Sequence, residues 1–240
     1  MKKIASLLVL LILSAQLNAQ MYSKKIKGNG DITTSKRTVS NFTKIGVAGS
    51  FHVTLSKENI STIVIKADEN LLEYILTEIE NGELIIKTKK GFQIHSTKNI
   101  EIRVPFQKLE DVSLAGSGNI TSDDAIDSPN LKLSVAGSGD LNLKVQTKNL
   151  NSSIAGSGNI YLNGTTNELT CSIAGSGNVY AYDLKSDITT LKIAGSGNAK
   201  VNASKEIHGS TVGSGNIYYS GNPPVVKVKS SGSGSVKSKG

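Results

Sequence analysis

The sequence predicts an all-β chain, a parallel β-solenoid (β-helix) built from coils of about 19–21 residues. Three observations predict it. A phrase recurs almost unchanged, as "SIAGSGNIYLNG" from 153 and "SIAGSGNVYAYD" from 172. The first Gly of that phrase falls at 116, 137, 156, 175, 195, 213 and 232, in steps of 21, 19, 19, 20, 18 and 19. Apolar and polar residues alternate on both sides of each phrase, the period of a strand with one buried face.

At the N-terminus, Met1-Lys2-Lys3, an apolar run from Ile4 to Leu13 and "SAQLNAQ" form a signal peptide over 1–19, with cleavage expected after Ala19. The apolar run is about ten residues, against roughly 20 for a membrane span. No integral membrane segment is therefore expected after leader cleavage, and no Cys follows the run to carry a lipid. Residues 20–111 read as less regular coils and a capping hairpin. "KGNGDIT" at 27–33 and "VAGSFHV" at 47–53 echo the corner phrase, and Gly28 and Gly49, 21 residues apart, suggest two early coils. Asp68 is placed to cap a helical turn through about Tyr74. Asn81-Gly82 between "TEIE" and "ELII" is a two-residue hairpin signal. "NIEIRVP" at 99–105 reads as a strand that Pro105 ends. Residues 112–240 form the regular solenoid, one domain continuous from about 27. Pro223-Pro224 with Lys227, Lys229, Lys237 and Lys239 discourage addition of a further coil.

Each unit reads as strand, corner, strand and polar turn. The expected inward residues include Ile120, Leu141, Ile160, Val179, Ala199 and Ile217 after the corner, and Leu150-Ser152-Ile154 and Leu169-Cys171-Ile173 before it. One unit cannot bury its own apolar face, but stacked units can. A propeller blade needs roughly 40 residues, so one unit is too short. An antiparallel sandwich gives no reason to repeat one phrase at one spacing. The corner residues are Gly116-Gly118-Asn119, Gly137-Gly139, Gly156-Gly158-Asn159, Gly175-Gly177-Asn178, Gly195-Gly197-Asn198 and Gly213-Gly215-Asn216. Gly supplies backbone angles closed to other residues, and a Cβ there would crowd the next coil. The corner Ser and Asn side chains are expected to form hydrogen-bond ladders between coils. Asp140 and Ser235 are guests in the Asn column.

Composition limits the function. The single Cys171 excludes an intrachain disulfide and reads as a small core residue. Trp is absent and aromatics are 5%. The formal charge is +8, and residues 131–240 hold 11 Lys against five acids. That basic half weakly suggests an acidic partner, although interspersed Lys also keeps strand surfaces soluble. No nucleic-acid partner is expected.

The "AGSGN" phrase, the leader and "DENLLEYILTEIENGELIIKTKKG…NIEIRVPFQKLEDVSLAGSGNI" together resemble one family, DUF2807, the "putative auto-transporter adhesin, head GIN domain" group of exported Bacteroidetes-type proteins. The resemblance spans roughly 40–220. It implies a β-helical exported domain with an adhesion role, and it supplies no catalytic residues. The chain as given is expected to act as a passenger-like module, since it has no room for a membrane barrel.

Enzymatic chemistry is poorly supported by the residues. Gly-Ser-Gly lacks the Lys-Ser/Thr and the helix of a phosphate loop. The Gly-rich turns lack the aspartates of calcium β-rolls, and neither a metal nor another cofactor is expected. A carbohydrate-active β-helix needs carboxylates clustered across coils, and the serines repeat too uniformly to be nucleophiles. The outward column says more: Thr121, Asn142, Tyr161, Tyr180, Lys200, Tyr218 and Lys237, each two residues past the corner Asn or its equivalent. Tyr161 and Tyr180 should be neighbours, with Tyr182 and Asn163 on the same side. The candidate binding residues are Tyr161, Tyr180, Tyr182, Lys200 and Tyr218, with a polysaccharide or another cell surface as partner. Cross-strand Tyr pairs also stabilise strand surfaces without any ligand.

The expected function is thus a non-enzymatic exported surface-interaction or adhesion module, in the periplasm, at the outer cell surface or secreted. A structural or sensory periplasmic domain is the alternative, and a carbohydrate-active enzyme the third.

Overall fold

The computed structural model describes residues 23–59 and 61–239. The signal-peptide expectation for 1–19 lies outside the described residues. Among the described residues eighteen strands form, of which the first nine are β1 (Lys24–Lys27), β2 (Ile32–Thr38), β3 (Lys44–Gly49), β4 (His52–Lys57), β5 (Thr62–Asp68), β6 (Ile75–Glu80), β7 (Glu83–Thr88), β8 (Phe92–His95) and β9 (Glu101–Phe106). β10 (Asp111–Gly116) then leads into the long bent strands β11 (Asn119–Gly137), β12 (Asp140–Gly156), β13 (Asn159–Gly175), β14 (Asn178–Gly195) and β15 (Asn198–Gly213). β16 (Ile217–Ser220), β17 (Val225–Ser231) and β18 (Val236–Ser238) make the last coil.

The coils stack in parallel as a β-solenoid of about seven turns. Strands β12 and β13 keep one register throughout, from Asp140↔Asn159 and Leu143↔Leu162 to Gly156↔Gly175. Inward residues follow the expected alternation: Leu141, Leu143, Val145, Leu150 and Ile154 are at most 2% exposed, and Cys171 is as deeply buried. Two consecutive exposed residues, Lys148 and Asn149, reset the alternation at a second corner.

The uneven steps have a structural cause. The 21-residue step carries two extra residues between Thr121 and Ala125, where β11 loses register with β12. The 20-residue step carries one extra residue at Tyr182. The 18-residue step loses three residues after Ala181 and regains one after Ser186. Insertions are absorbed as bulges while the corners stay aligned.

The N-terminal region departs from the expectation of two early coils. β3 and β4 form the first coil around Gly49, and Gly49 stacks under Gly116, not beside Gly28. Residues between β4 and β10 are inserted there and build the cap. β7 lies under β3 and β9 under β4, both parallel. The stack is then closed by antiparallel strands, β6 on β7 and β5 on β9, with β2 on β5. Antiparallel strands let short turns close a sheet edge that parallel coils leave open. Gly28 instead comes just after β1, which pairs β8 in a separate two-stranded sheet. The Asn81-Gly82 turn joins β6 and β7, with positive φ at both residues. β9 runs through Pro105 to Phe106, because β5 pairs with β9 only at Glu101–Arg103 and asks for no N–H at Pro105.

Asp68 does not cap the following 3-10 turn at Glu69–Tyr74 with its side chain. Its carboxylate is fully buried and accepts from Gly30 N, Ser96 Oγ, Thr97 N and Thr97 Oγ1. It ties β5 to the β1–β2 and β8–β9 connections. Burial alone would raise its pKa, but the Ser96, Thr97 and Gly30 donors hold it well below the usual carboxylate range.

Candidate binding surface

The corners set the scaffold. Gly156 has φ +125, and Gly158 lies so close to the coil below that a Cβ would collide with Gly139 O. The same relation recurs at Gly118, Gly139, Gly177, Gly197 and Gly215. The half-buried Asn column forms a continuous ladder. Asn159 Nδ2 donates to Asp140 Oδ1, Asn178 Nδ2 to Asn159 Oδ1, Asn198 Nδ2 to Asn178 Oδ1 and Asn216 Nδ2 to Asn198 Oδ1, each at 2.9 Å. Ser235 Oγ ends it on Asn216 Oδ1 at 2.8 Å. The corner serines do not form the expected second ladder. Ser138, Ser157 and Ser176 are exposed, and their backbone N–H groups donate to Gly116, Gly137 and Gly156 O below.

Two residues past the corner, the outward column is in register from Thr54 through Thr121, Asn142, Tyr161, Tyr180, Lys200 and Tyr218 to Lys237. The Tyr161 and Tyr180 rings stack at 4.8 Å between centroids and 10° between planes. That separation equals the coil step, so the rings lie across the solenoid axis and turn one face each toward the other. Lys200 Nζ covers the far face of Tyr180 at 5.1 Å from its centroid. Tyr161 is 38% exposed, and its free face looks toward the smaller Asn142. Burial raises its phenol pKa, with smaller contributions from Asp140 and Tyr180.

Tyr182 lies outward like Tyr180, but it is out of register with Asn163. It is the extra residue of its coil, so Asn163 pairs with Asp183 and not with Tyr182. The bulge delivers its ring to Lys239, whose Nζ lies 4.6 Å from the centroid. Burial and the neighbouring Tyr218 raise its phenol pKa. Below Thr54 in the same column lies Arg103, which binds Glu58 Oε1 and Asp123 Oδ2 at 3.1 Å each. The neighbouring Asp124, exposed like Asp123, accepts from Lys57 N through Oδ2.

Among the described residues, no cluster of three or more His, Cys, Asp or Glu side chains is placed to hold a metal. No helix among them is long and apolar enough to cross a membrane.

Fold and surface define a class: a repeat-built parallel solenoid that displays lateral columns of side chains. A family model described as "putative auto-transporter adhesin, head GIN domain" matches residues 41–223, and the chain belongs to that family, DUF2807. A "putative adhesin" from Bacteroides fragilis superposes with TM-score 0.83 at 21% identity, covering 89% of this chain and 100% of that one. A "putative adhesin" from Parabacteroides merdae gives 0.70 at 27% identity, covering 91% and 100%. A "putative lipid binding protein" from Parabacteroides distasonis gives 0.75 at 28% identity, covering 90% and 100%. No curated protein matches the chain.

Proposed function

We propose that the chain is a non-enzymatic, exported adhesion module whose glycan-contacting surface is the column Asn142, Tyr161, Tyr180, Lys200 and Tyr218. Membership of an adhesin-described family supports the adhesion role. The observation that carries the site is the Tyr161–Tyr180 stack closed by Lys200. Stacking fixes both rings and the ammonium before a ligand arrives, which lowers the ordering cost of binding. The stack also restricts the contact. A sugar ring fits against the free face of Tyr161, above the Asn142 amide, while Tyr180 offers its edge and hydroxyl. The polymer would then cross the coils along the strand direction. A glycan array probed with the chain and with Tyr161→Ala/Tyr180→Ala tests this. Loss of the bound glycans by the folded double variant is expected, and an unchanged binding profile overturns the reading.

A second reading is a periplasmic structural module, in which the stack only stabilises adjacent strands. The mutual burial of two ring faces favours it. Protease digestion of intact cells separates the two, because only a surface-displayed chain is cleaved without breaking the envelope.

A further inference from the structure

The face before each corner carries a different pattern. In "SIAG" the Ile points inward, so the Ser and Ala on either side point outward. The alanines stack in register from Ala48 through Ala115, Ala155 and Ala194 and end at Val212, which is 60% exposed. Beside them runs a file of serines that gives way to Lys192 and, two coils on, Lys229. Between them lies a trough of about 800 Å³ with a largely apolar wall. From Ala48 to Ala194 is five coil steps, about 24 Å at ~4.8 Å each.

The two ends differ in charge. Glu83 lines the N-terminal end. At the other end the trough runs into a second recess of about 510 Å³, bordered by Lys192, His208, Lys227 and Lys229. Lys192 and Ser210 border both spaces. His208 pairs with Glu206 at 2.8 Å, whereas Lys192, Lys227 and Lys229 form no ion pair among the described residues.

We propose that this trough holds the alkyl tail of a long-chain fatty acid, with its carboxylate among Lys192, Lys227 and Lys229. An apolar trough alone does not choose an occupant, but this one ends on three unpaired cations at one end and a carboxylate at the other. That polarity selects an anionic amphiphile and sets its direction. The apolar floor is one methyl file wide, which fits a single tail. One tail spans about half of a ~30 Å bilayer core, so the trough is long enough to hold it extended. The site lies on the opposite side of the corner from the tyrosines and does not depend on the glycan reading.

The test is a fluorescence titration of the chain with cis-parinaric acid, a linear polyene fatty acid, below its micelle concentration. Saturable binding of one molecule per chain is expected. Ala155→Gln, an exposed change that blocks the middle of the trough, should weaken it at least tenfold. Lys192→Gln/Lys229→Gln should raise the dissociation constants of the probe and of laurate about tenfold each, and leave that of 1-dodecanol, read by displacement of the probe, unchanged. No saturable binding, binding that appears only with micelles or vesicles, or affinities unchanged in both folded variants would each overturn the proposal. If Ala155→Gln loses the native circular dichroism spectrum, the lysine pair decides: an unchanged laurate-to-dodecanol ratio refutes the site.

Discussion

Asn159 Nδ2 and backbone N both donate to Asp140 Oδ1, at 2.9 Å each, and the Asp140 carboxylate has no donor to pass the side-chain ladder downward. The Asn ladder therefore starts at Asp140, although Asn119 lies in register below it. Ser235 closes the upper end by donating only. An acceptor-only residue below and a donor above terminate a ladder whose interior needs both functions on each side chain.

Asp140→Asn should extend the ladder by one rung, to Asn119 Oδ1. One net hydrogen bond contributes about 0.5–1.5 kcal/mol. For a chain of this size that is a rise in Tm of roughly 1–6 °C. Differential scanning calorimetry at neutral pH checks it, and a lower Tm would show that Asp140 is held by something other than the ladder.

Asn178→Ala should do the opposite. It removes the acceptor of Asn198 N and Nδ2 and the donor to Asn159. Half-buried groups left unpaired cost about 1–3 kcal/mol. Urea unfolding should show a lower midpoint with an unchanged m-value, because the surface exposed on unfolding is the same.

Asp68 gives the N-terminal cap an acid limit. Its pKa is depressed in the fold, so its contribution is complete above the unfolded carboxylate value of about 4 and fades as pH falls below that. Between pH 7 and pH 2 the chain should lose stability mainly below about pH 4. Asp68→Asn should be less stable at pH 7 and flatter in the acid range. Parallel pH profiles for the two proteins would remove Asp68 from the account.

Cys171 should be inert while the chain is folded. Burial pushes its thiol up to about 12, only partly offset by the hydrogen bond with Ser152 Oγ, which sits 2.9 Å from Sγ. At pH 8 an aromatic disulfide reagent should label it only as fast as the chain unfolds. Prompt labelling of the native protein would place the thiol elsewhere.

The corner glycines, the inward alternation and the Tyr161–Tyr180 pairing are legible in the sequence because a solenoid converts a fixed step into a contact. Interruptions of the step are not. The first coil is split by the cap, and its corner reads Gly49-Ser50-Phe51, with Phe51 where later coils have Gly. Asp68 takes its donors from Gly30, Ser96 and Thr97, which no local pattern links to it. Period-two counting holds through the outward Tyr182 and fails from Asp183 on, because the bulge there flips every later side chain to the other face. The Ser and Ala of "SIAG" point outward by the same period-two rule that places the tyrosines, so the trough is readable in principle. The phrase conceals it by looking like scaffold throughout.

The central claim divides each coil into corner residues that hold the stack and outward residues that meet a partner. Thermal melting and glycan binding measured together on Gly177→Ala and Tyr180→Ala test it most directly. A Cβ on Gly177 meets Gly158 O and stands 2.6 Å from Ile154 Cγ2, so Gly177→Ala should lower Tm by roughly 5–10 °C while its folded fraction still binds. Tyr180→Ala should shift Tm by at most about 3 °C and lose binding. A Gly177→Ala protein as stable as wild type, or a Tyr180→Ala protein that binds undiminished, would contradict it.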